Sequence, residues 1–179
     1  MKKSISLLII IVLFLTAFNL EARSQSHTFE NENIVATATV LSTLSIMKNE
    51  DVSFGNISAT TTGEVFLDPQ GNAHSYVGAT ATVGKFTITG DGNQIRVGWP
   101  ESIILDDGAT NEMTLTFSVS GFGTDTQSSS TDLTTENGFS IVTIETGAYY
   151  LWVGGSLGTL TNQTSGTYTG TADFTVEYN

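Results

Sequence analysis

Apolar and polar residues alternate over short runs through most of the chain, the pattern of half-buried β-strands. The cleanest examples are residues 113–119 and 168–178. Threonine, valine, isoleucine and phenylalanine are common in these runs, and glycine, asparagine and aspartate lie between them, as expected for strands joined by turns. The predicted strands cover residues 34–40, 52–57, 64–68, 85–89, 94–99, 102–105, 113–119, 139–145, 149–153, 156–160 and 168–178.

The connections between these runs predict further features. The tetrapeptide Gly90-Asp91-Gly92-Asn93 separates two of them. Asp-Gly and Gly-Asn tolerate positive φ, so we expect residues 85–89 and 94–99 to pair as a hairpin. The polar, Ser/Thr-rich residues 121–137 are expected to form a long surface loop. After residue 24 no helical pattern and no linker is found, so the sequence predicts one antiparallel, all-β sandwich or barrel.

The first 24 residues have the pattern of an export signal. Lys2 and Lys3 precede an apolar run of 14 residues, 5–18, which is shorter than the roughly 20 residues that a membrane-spanning helix needs. Ala22-Arg23-Ser24 then offers a small-residue cleavage site, and we expect cleavage after Ser24. An uncleaved anchor helix is the less favoured interpretation. The mature chain, residues 25–179, is expected to be exported without inserting into the membrane.

Charge and composition exclude several classes of partner. The whole chain has six basic and 18 acidic residues, a net charge of −12. The first 24 residues hold three of those basic residues and one of the acidic ones, so the mature chain carries about −14. Such a surface repels nucleic acid and anionic lipid. There is no cysteine, so the core must be held by packing, or the fold is completed by another strand.

Side chains that could carry catalysis are few. His27 and His74 are the only histidines, and nothing in their spacing suggests a nucleophile–base pair. The carboxylate pairs Glu50-Asp51 and Asp106-Asp107 fall at predicted turns, and Asp91-Gly92-Asn93 lacks the ligand spacing of a calcium loop. We therefore predict no catalytic residue, no metal site and no cofactor.

The two ends of the mature chain carry the most informative pattern. The polar residues 25–33 are followed by an alternating run whose side chains are small enough to enter a groove. At the other end, a glycine fourteenth from the C-terminus and a penultimate tyrosine flank alternating apolar residues. The N-terminal set is Ile34, Ala36, Ala38 and Val40, and the C-terminal set is Gly166, Tyr168, Phe174, Val176 and Tyr178.

The C-terminal spacing resembles the signature of chaperone–usher pilins. The chain from residue 34 to residue 179 is also similar to a bacterial family of uncharacterised domains related to spore-coat-protein-U-like fimbrial subunits. These pilins usually carry a disulfide, and this cysteine-free chain departs from them in that respect. The strings that carry the similarity are Ala38-Thr39-Val40, Leu44-Ser45-Ile46, Val52-Ser53-Phe54-Gly55, Phe86-Thr87-Ile88-Thr89-Gly90, Leu151-Trp152-Val153-Gly154-Gly155-Ser156-Leu157 and Gly166-Thr167-Tyr168-Thr169-Gly170.

The resemblance implies an immunoglobulin-like, pilin-like sandwich at residues 41–179 that lacks one strand. The extension at residues 25–40 would be the donor strand that completes a neighbouring subunit. Burial of its four apolar side chains would contribute roughly 5–9 kcal/mol. The resemblance further implies a homopolymer, a periplasmic chaperone that reads the C-terminal set, an outer-membrane usher and a fibre at the cell surface.

Two other interpretations use the same residues. Residues 34–40 could instead be the first strand of their own sandwich, which would give a self-complete secreted binding or adhesin domain with residues 121–137 as its recognition surface. In that domain Tyr149, Tyr150 and Trp152 could stack on sugars, although packing in the core is the favoured explanation for them. The third interpretation is an enzyme such as a β-sandwich hydrolase.

Overall fold

The alternating runs form two antiparallel sheets, one of eight strands and one of three, in the computed structural model. It describes residues 37, 38, 40–145 and 147–179, which contain no α-helix. The predicted all-β, antiparallel sandwich is confirmed. Its strands are β1 (Ser45–Glu50), β2 (Thr62–Leu67), β3 (His74–Ser75), β4 (Gly84–Thr89), β5 (Gln94–Gly98), β6 (Ser102–Asp106), β7 (Glu112–Phe122), β8 (Thr131–Asp132), β9 (Phe139–Thr143), β10 (Ala148–Thr161) and β11 (Thr175–Tyr178).

Strand β10 organises the large sheet because each end has a different neighbour. Residues 148–153 pair with β4, and residues 155–161 pair with β2. On the opposite edge of β10, residues 150–156 pair with β7. We call the part with β4, β1 and β8 the upper half of the sheet, and the part with β2, β3 and β6 the lower half. The small sheet has the order β11-β5-β9.

The core consists of two apolar clusters, one for each half of the large sheet. In the upper half, Ile88 and Leu151 meet Ile95 and Val97 of the small sheet, and all four are fully buried. The lower cluster includes no residue of the small sheet, and loop residues such as Phe54 pack over it instead. The small sheet therefore covers only the upper half. Among the described residues no helix is long and apolar enough to cross a bilayer.

Two predictions about pairing are wrong. Strands β4 and β5 do not form a hairpin, because β4 belongs to the large sheet and β5 to the small one. Ile88 and Ile95 on these strands face the same core cluster from opposite layers, so residues 90–93 form a corner between layers. The predicted runs 149–153 and 156–160 are one continuous strand, β10. Gly154 lies within this strand, where the absence of a side chain leaves room for the backbone of Leu67 on β2.

Three other segments differ from the prediction. Residues 52–57 form only an isolated bridge, Ser53 to Thr82, whereas the unpredicted strand β1 lies just before them. β1 is an edge strand in which only Ile46 is half-buried, so its sequence shows little alternation. The predicted loop 121–137 contains a 3₁₀ turn, Gln127–Ser129, and the short strand β8. The predicted strand 168–178 is regular only in β11.

Candidate functional site

The chain enters the domain at a point fixed by Ser42, Asp91 and Tyr178, which we call the Ser42 clamp. The backbone N–H of Ser42 donates to the Asp91 carboxylate. The Tyr178 hydroxyl donates to the Ser42 carbonyl at 3.2 Å and accepts the Asp91 N–H at 2.9 Å. The hydrogen bond from Ser42 lowers the pKa of Asp91 below its ordinary value. The penultimate residue thus fastens the start of the domain to the corner between β4 and β5.

Immediately before the clamp, the side chain that ends the predicted donor strand is exposed. Val40, two residues before Ser42, is 92% exposed, and Ala38 is exposed too. Ile34 and Ala36, the other two residues of the predicted donor set, lie outside the described residues. The domain therefore does not bury the last apolar side chain of the predicted donor strand.

Three residues of the predicted C-terminal set lie along one row that faces the upper core. Phe174, Val176 and Tyr178 are half-buried and alternate with exposed residues. Within the described part of the chain, β11 pairs along one edge only, with β5. Tyr168 is half-buried and its hydroxyl donates to the Thr164 carbonyl at 2.9 Å, while Gly166 is exposed. The structure thus brings Phe174, Val176 and Tyr178 together and places Tyr168 and Gly166 apart from them.

Aromatic contacts attach the C-terminal segment to the large sheet. The Phe174 ring stacks on Phe86 of β4, with centroids 4.7 Å apart. It meets Phe117 of β7 edge-on at 5.9 Å and lies nearly parallel to Trp99 at 6.3 Å. Such pairs add to the stabilisation from burial alone. Phe174 is therefore the main side chain that holds the segment before β11 in place.

An open groove of about 640 Å³ lies over the lower half of the large sheet; we call it the lower groove. Leu115 and Leu157 lie at its base, and Met113 and Leu105 lie along its side. Residues 52–59 and 163–170 form its two walls. None of the lining side chains is charged. Sequence reasoning missed the groove because its residues come from separate segments, and only the alternating runs that became β6 and β7 gave a signal.

The Ser42 clamp and the lower groove lie toward opposite ends of the sandwich. The clamp is at the level of Thr89, which pairs with both Ser45 and Ala148. The groove is at the level of Leu157 on the same strand, β10. Nine residues of strand separate Ala148 from Leu157, or about 30 Å.

A comparison with known families matches the domain as a whole. The profile of the family described as "Domain of unknown function (DUF4402)" matches residues 44–178. The chain belongs to this family. The matched region begins after the Ser42 position and extends through β11, so this DUF4402 domain contains both sheets and the lower groove. No curated protein matches the chain.

The remaining candidates in the DUF4402 domain have structural partners. The Asp107 carboxylate accepts the Asn111 side-chain amide at 2.6 Å, and this bond lowers the pKa of Asp107. The His74 Nδ1 accepts the Asp68 N–H at 3.2 Å. Trp152 is 4% exposed, so its ring has no free face for a sugar. Among the described residues no group of three His, Cys, Asp or Glu side chains could hold a metal ion.

Tyr149 and Tyr150 lie on opposite faces of β10. Tyr149 is buried in the upper core cluster, and burial raises its pKa. Tyr150 is half-buried beside Trp152, with the Lys85 ammonium 5.6 Å from its ring centroid. Lys85 also pairs with Asp125 at 2.6 Å. These contacts favour a packing role for both tyrosines over a role in stacking on sugars.

Proposed function

We propose that this chain is an exported structural subunit of a cell-surface fibre, and that its subunits assemble by strand complementation. Ile34, Ala36, Ala38 and Val40 of one subunit would insert into the next. The observation that carries the proposal is the position of Val40. It ends an alternating apolar run, yet it is 92% exposed next to a hydrogen-bonded clamp.

Burial in a neighbouring subunit would stabilise the assembly without covalent bonds. Four apolar side chains contribute roughly 5–9 kcal/mol when buried. Each backbone hydrogen bond formed by an inserted strand adds about 0.5–1.5 kcal/mol net. The chain has no cysteine, so these contacts would have to hold the fibre together. Slow dissociation would follow, as a fibre outside the cell requires.

Export and assembly machinery are part of the same proposal. The first 24 residues would direct the chain across the inner membrane. A periplasmic chaperone would then read the C-terminal set that ends in Phe174, Val176 and Tyr178, and an outer-membrane usher would receive the complex.

Replacement of Tyr178 tests the role of the chaperone. Tyr178→Ser removes the ring and should reduce fibre yield several-fold, because a chaperone that reads this end would lose the aromatic side chain. Tyr178→Phe keeps the ring and loses only the hydrogen bonds to Ser42 and Asp91, so it should retain most of the yield. Fibre yield on cells is the measurement. Normal yield from Tyr178→Ser would count against recognition of this end by a chaperone.

The N-terminal extension provides the direct test of assembly. Chains covering residues 25–179 and 41–179 would be compared by size-exclusion chromatography and negative-stain microscopy, with a peptide of residues 30–40 added back. The longer chain should form rods or denaturant-resistant ladders. The shorter chain should be less stable and stay monomeric, and the peptide should restore its stability.

One observation favours a second candidate function, a self-complete secreted binding or adhesin domain. The lower groove, at about 640 Å³, lies within the range of roughly 300–1,000 Å³ that is typical of ligand pockets. In that case residues 25–179 would remain a stable monomer, and the groove would take an apolar ligand. The same chromatography experiment separates the two candidates.

A further inference from the structure

We infer that the donor segment of a second copy of this chain occupies the lower groove, and that it does not add to the free edge of β11. This inference rests on the proposed function and names the acceptor site within it. The resemblance to pilins implies a missing strand but does not say where this chain receives it.

The space beside the upper end of β11 is already occupied. Leu44 and Tyr178 both pack against Gly90, where a Cβ would lie 2.9 Å from Leu44 Cδ1 and 2.8 Å from the Tyr178 hydroxyl. Ile46 of β1 packs on the same cluster. A strand added at this edge would have to displace the Ser42 clamp.

The lower half of the sandwich, in contrast, is only partly covered. No strand of the small sheet covers it, and Ile103, Leu105 and Met113 along the groove are only half-buried. The backbone of residues 163–167 forms no backbone–backbone hydrogen bond within the described part of the chain, whereas Thr169 exchanges two with Asp106. The Thr164 carbonyl accepts the Tyr168 hydroxyl, and the other backbone groups of this wall are available to pair with an added strand.

The charge of the donor segment matches the groove. The mature chain carries a large negative charge, yet no charged residue occurs from Asn33 to Met47. The groove lining is also uncharged. Insertion of residues 34–40 would therefore bury no unpaired charge, which is the main cost to avoid at such an interface.

The position of the clamp shows that the occupant is a second copy. Val40 is two residues from Ser42, a reach of at most about 7 Å, and the groove lies about 30 Å from the clamp along β10. The Val40 side chain cannot enter the groove of its own domain. Each subunit would therefore donate at its upper end and accept at its lower end, and a head-to-tail contact of this kind extends into a filament unless its rotation closes a ring.

Engineered cysteines can test this placement, because the chain has none of its own. Full-length Ala38→Cys would be co-expressed with full-length Met113→Cys, and disulfide-linked pairs would be counted on non-reducing gels. Met47→Cys is the matched control, a methionine 56% exposed on β1. Val176→Cys represents the β11 edge. We expect a linked pair with Met113→Cys at least tenfold more abundant than with either of the other two.

A second pair of variants tests the groove without disulfides. Met113→Trp would fill the groove and should abolish fibres, whereas Met47→Trp should leave them intact. Fibres that cross-link through Val176→Cys and tolerate Met113→Trp would overturn the groove assignment and leave the proposed function standing. A full-length chain that stays monomeric and forms no cross-link would overturn both.

Discussion

At single positions, the fold is least tolerant where two backbones meet without room for a side chain. A Cβ on Gly154 would lie 2.1 Å from the Leu67 carbonyl oxygen and 3.0 Å from the Pro69 nitrogen. Both contacts are with backbone atoms, which cannot move aside as a flexible side chain can. The glycine is thus what permits β2 and β10 to pair at this level.

Gly154→Ala should therefore lower the free energy of unfolding by about 3 kcal/mol or more, at the upper end of the overpacking range. Gly123→Ala is the control, since a Cβ there has nothing within 4 Å. Urea denaturation followed by tryptophan fluorescence measures both. Equal stability of the two variants would show that β2 can shift at no cost.

The Ser42 clamp should weaken in acid. Because the hydrogen bond from Ser42 lowers the pKa of Asp91 below its ordinary value, the Ser42–Asp91 bond is fully formed above about pH 4 and is lost as the pH falls through the lower, folded-state value. The protection of the Ser42 amide against hydrogen exchange, relative to its intrinsic rate at each pH and followed by NMR, should fall over that range. The Thr169 amide, which donates to the Asp106 carbonyl at 2.9 Å, should show no such step. In Asp91→Asn the step should be absent at Ser42 as well.

At the scale of the element, β11 is short, and its attachment depends on the segment before it. Four residues pair with β5, and a strand of that length contributes few hydrogen bonds. The contacts of Phe174 with Phe86, Phe117 and Trp99 add the stabilisation that these few hydrogen bonds do not provide.

Phe174→Ala should cost about 2–3 kcal/mol, less than the 3–5 of a fully buried phenylalanine because the ring is half-exposed. Thr175→Ala, at the neighbouring exposed position, should change stability by less than about 0.5 kcal/mol. The midpoint of urea denaturation gives both values. A loss of similar size in the two variants would mean that strand propensity, and not the aromatic cluster, holds the C-terminal segment.

At the scale of the whole molecule, net charge should control the rate of the proposed assembly. Two chains of residues 25–179, each with a net charge of about −14, would repel one another, and salt shortens the range of that repulsion from about 30 Å at 0.01 M to about 10 Å at 0.1 M. Light scattering should therefore show several-fold faster fibre growth at the higher salt concentration. Growth that slows with salt would instead indicate attraction between oppositely charged patches.

The sequence by itself determined most of the strands that have one buried face, and which face that is. Alternation is a local property, since successive side chains of a strand point to opposite faces. For this reason β2, β4, β5, β6, β7 and β9 lie close to their predicted places, and alternation alone predicts that Phe174, Val176 and Tyr178 share one face.

Only the tertiary structure decided which strands meet and where the second layer stops. Residues 85–89 and 94–99 have the alternation and the connecting turn of a hairpin, yet Ile88 and Ile95 are buried from opposite layers. Gly154 lies between two predicted strands, as a turn residue would, yet it belongs to one continuous strand and leaves room for the backbone of β2 to approach β10 closely. The lower groove exists because the three-stranded sheet does not extend over the lower half of the large sheet. The strand period specifies which face of a strand is buried but not which element covers that face.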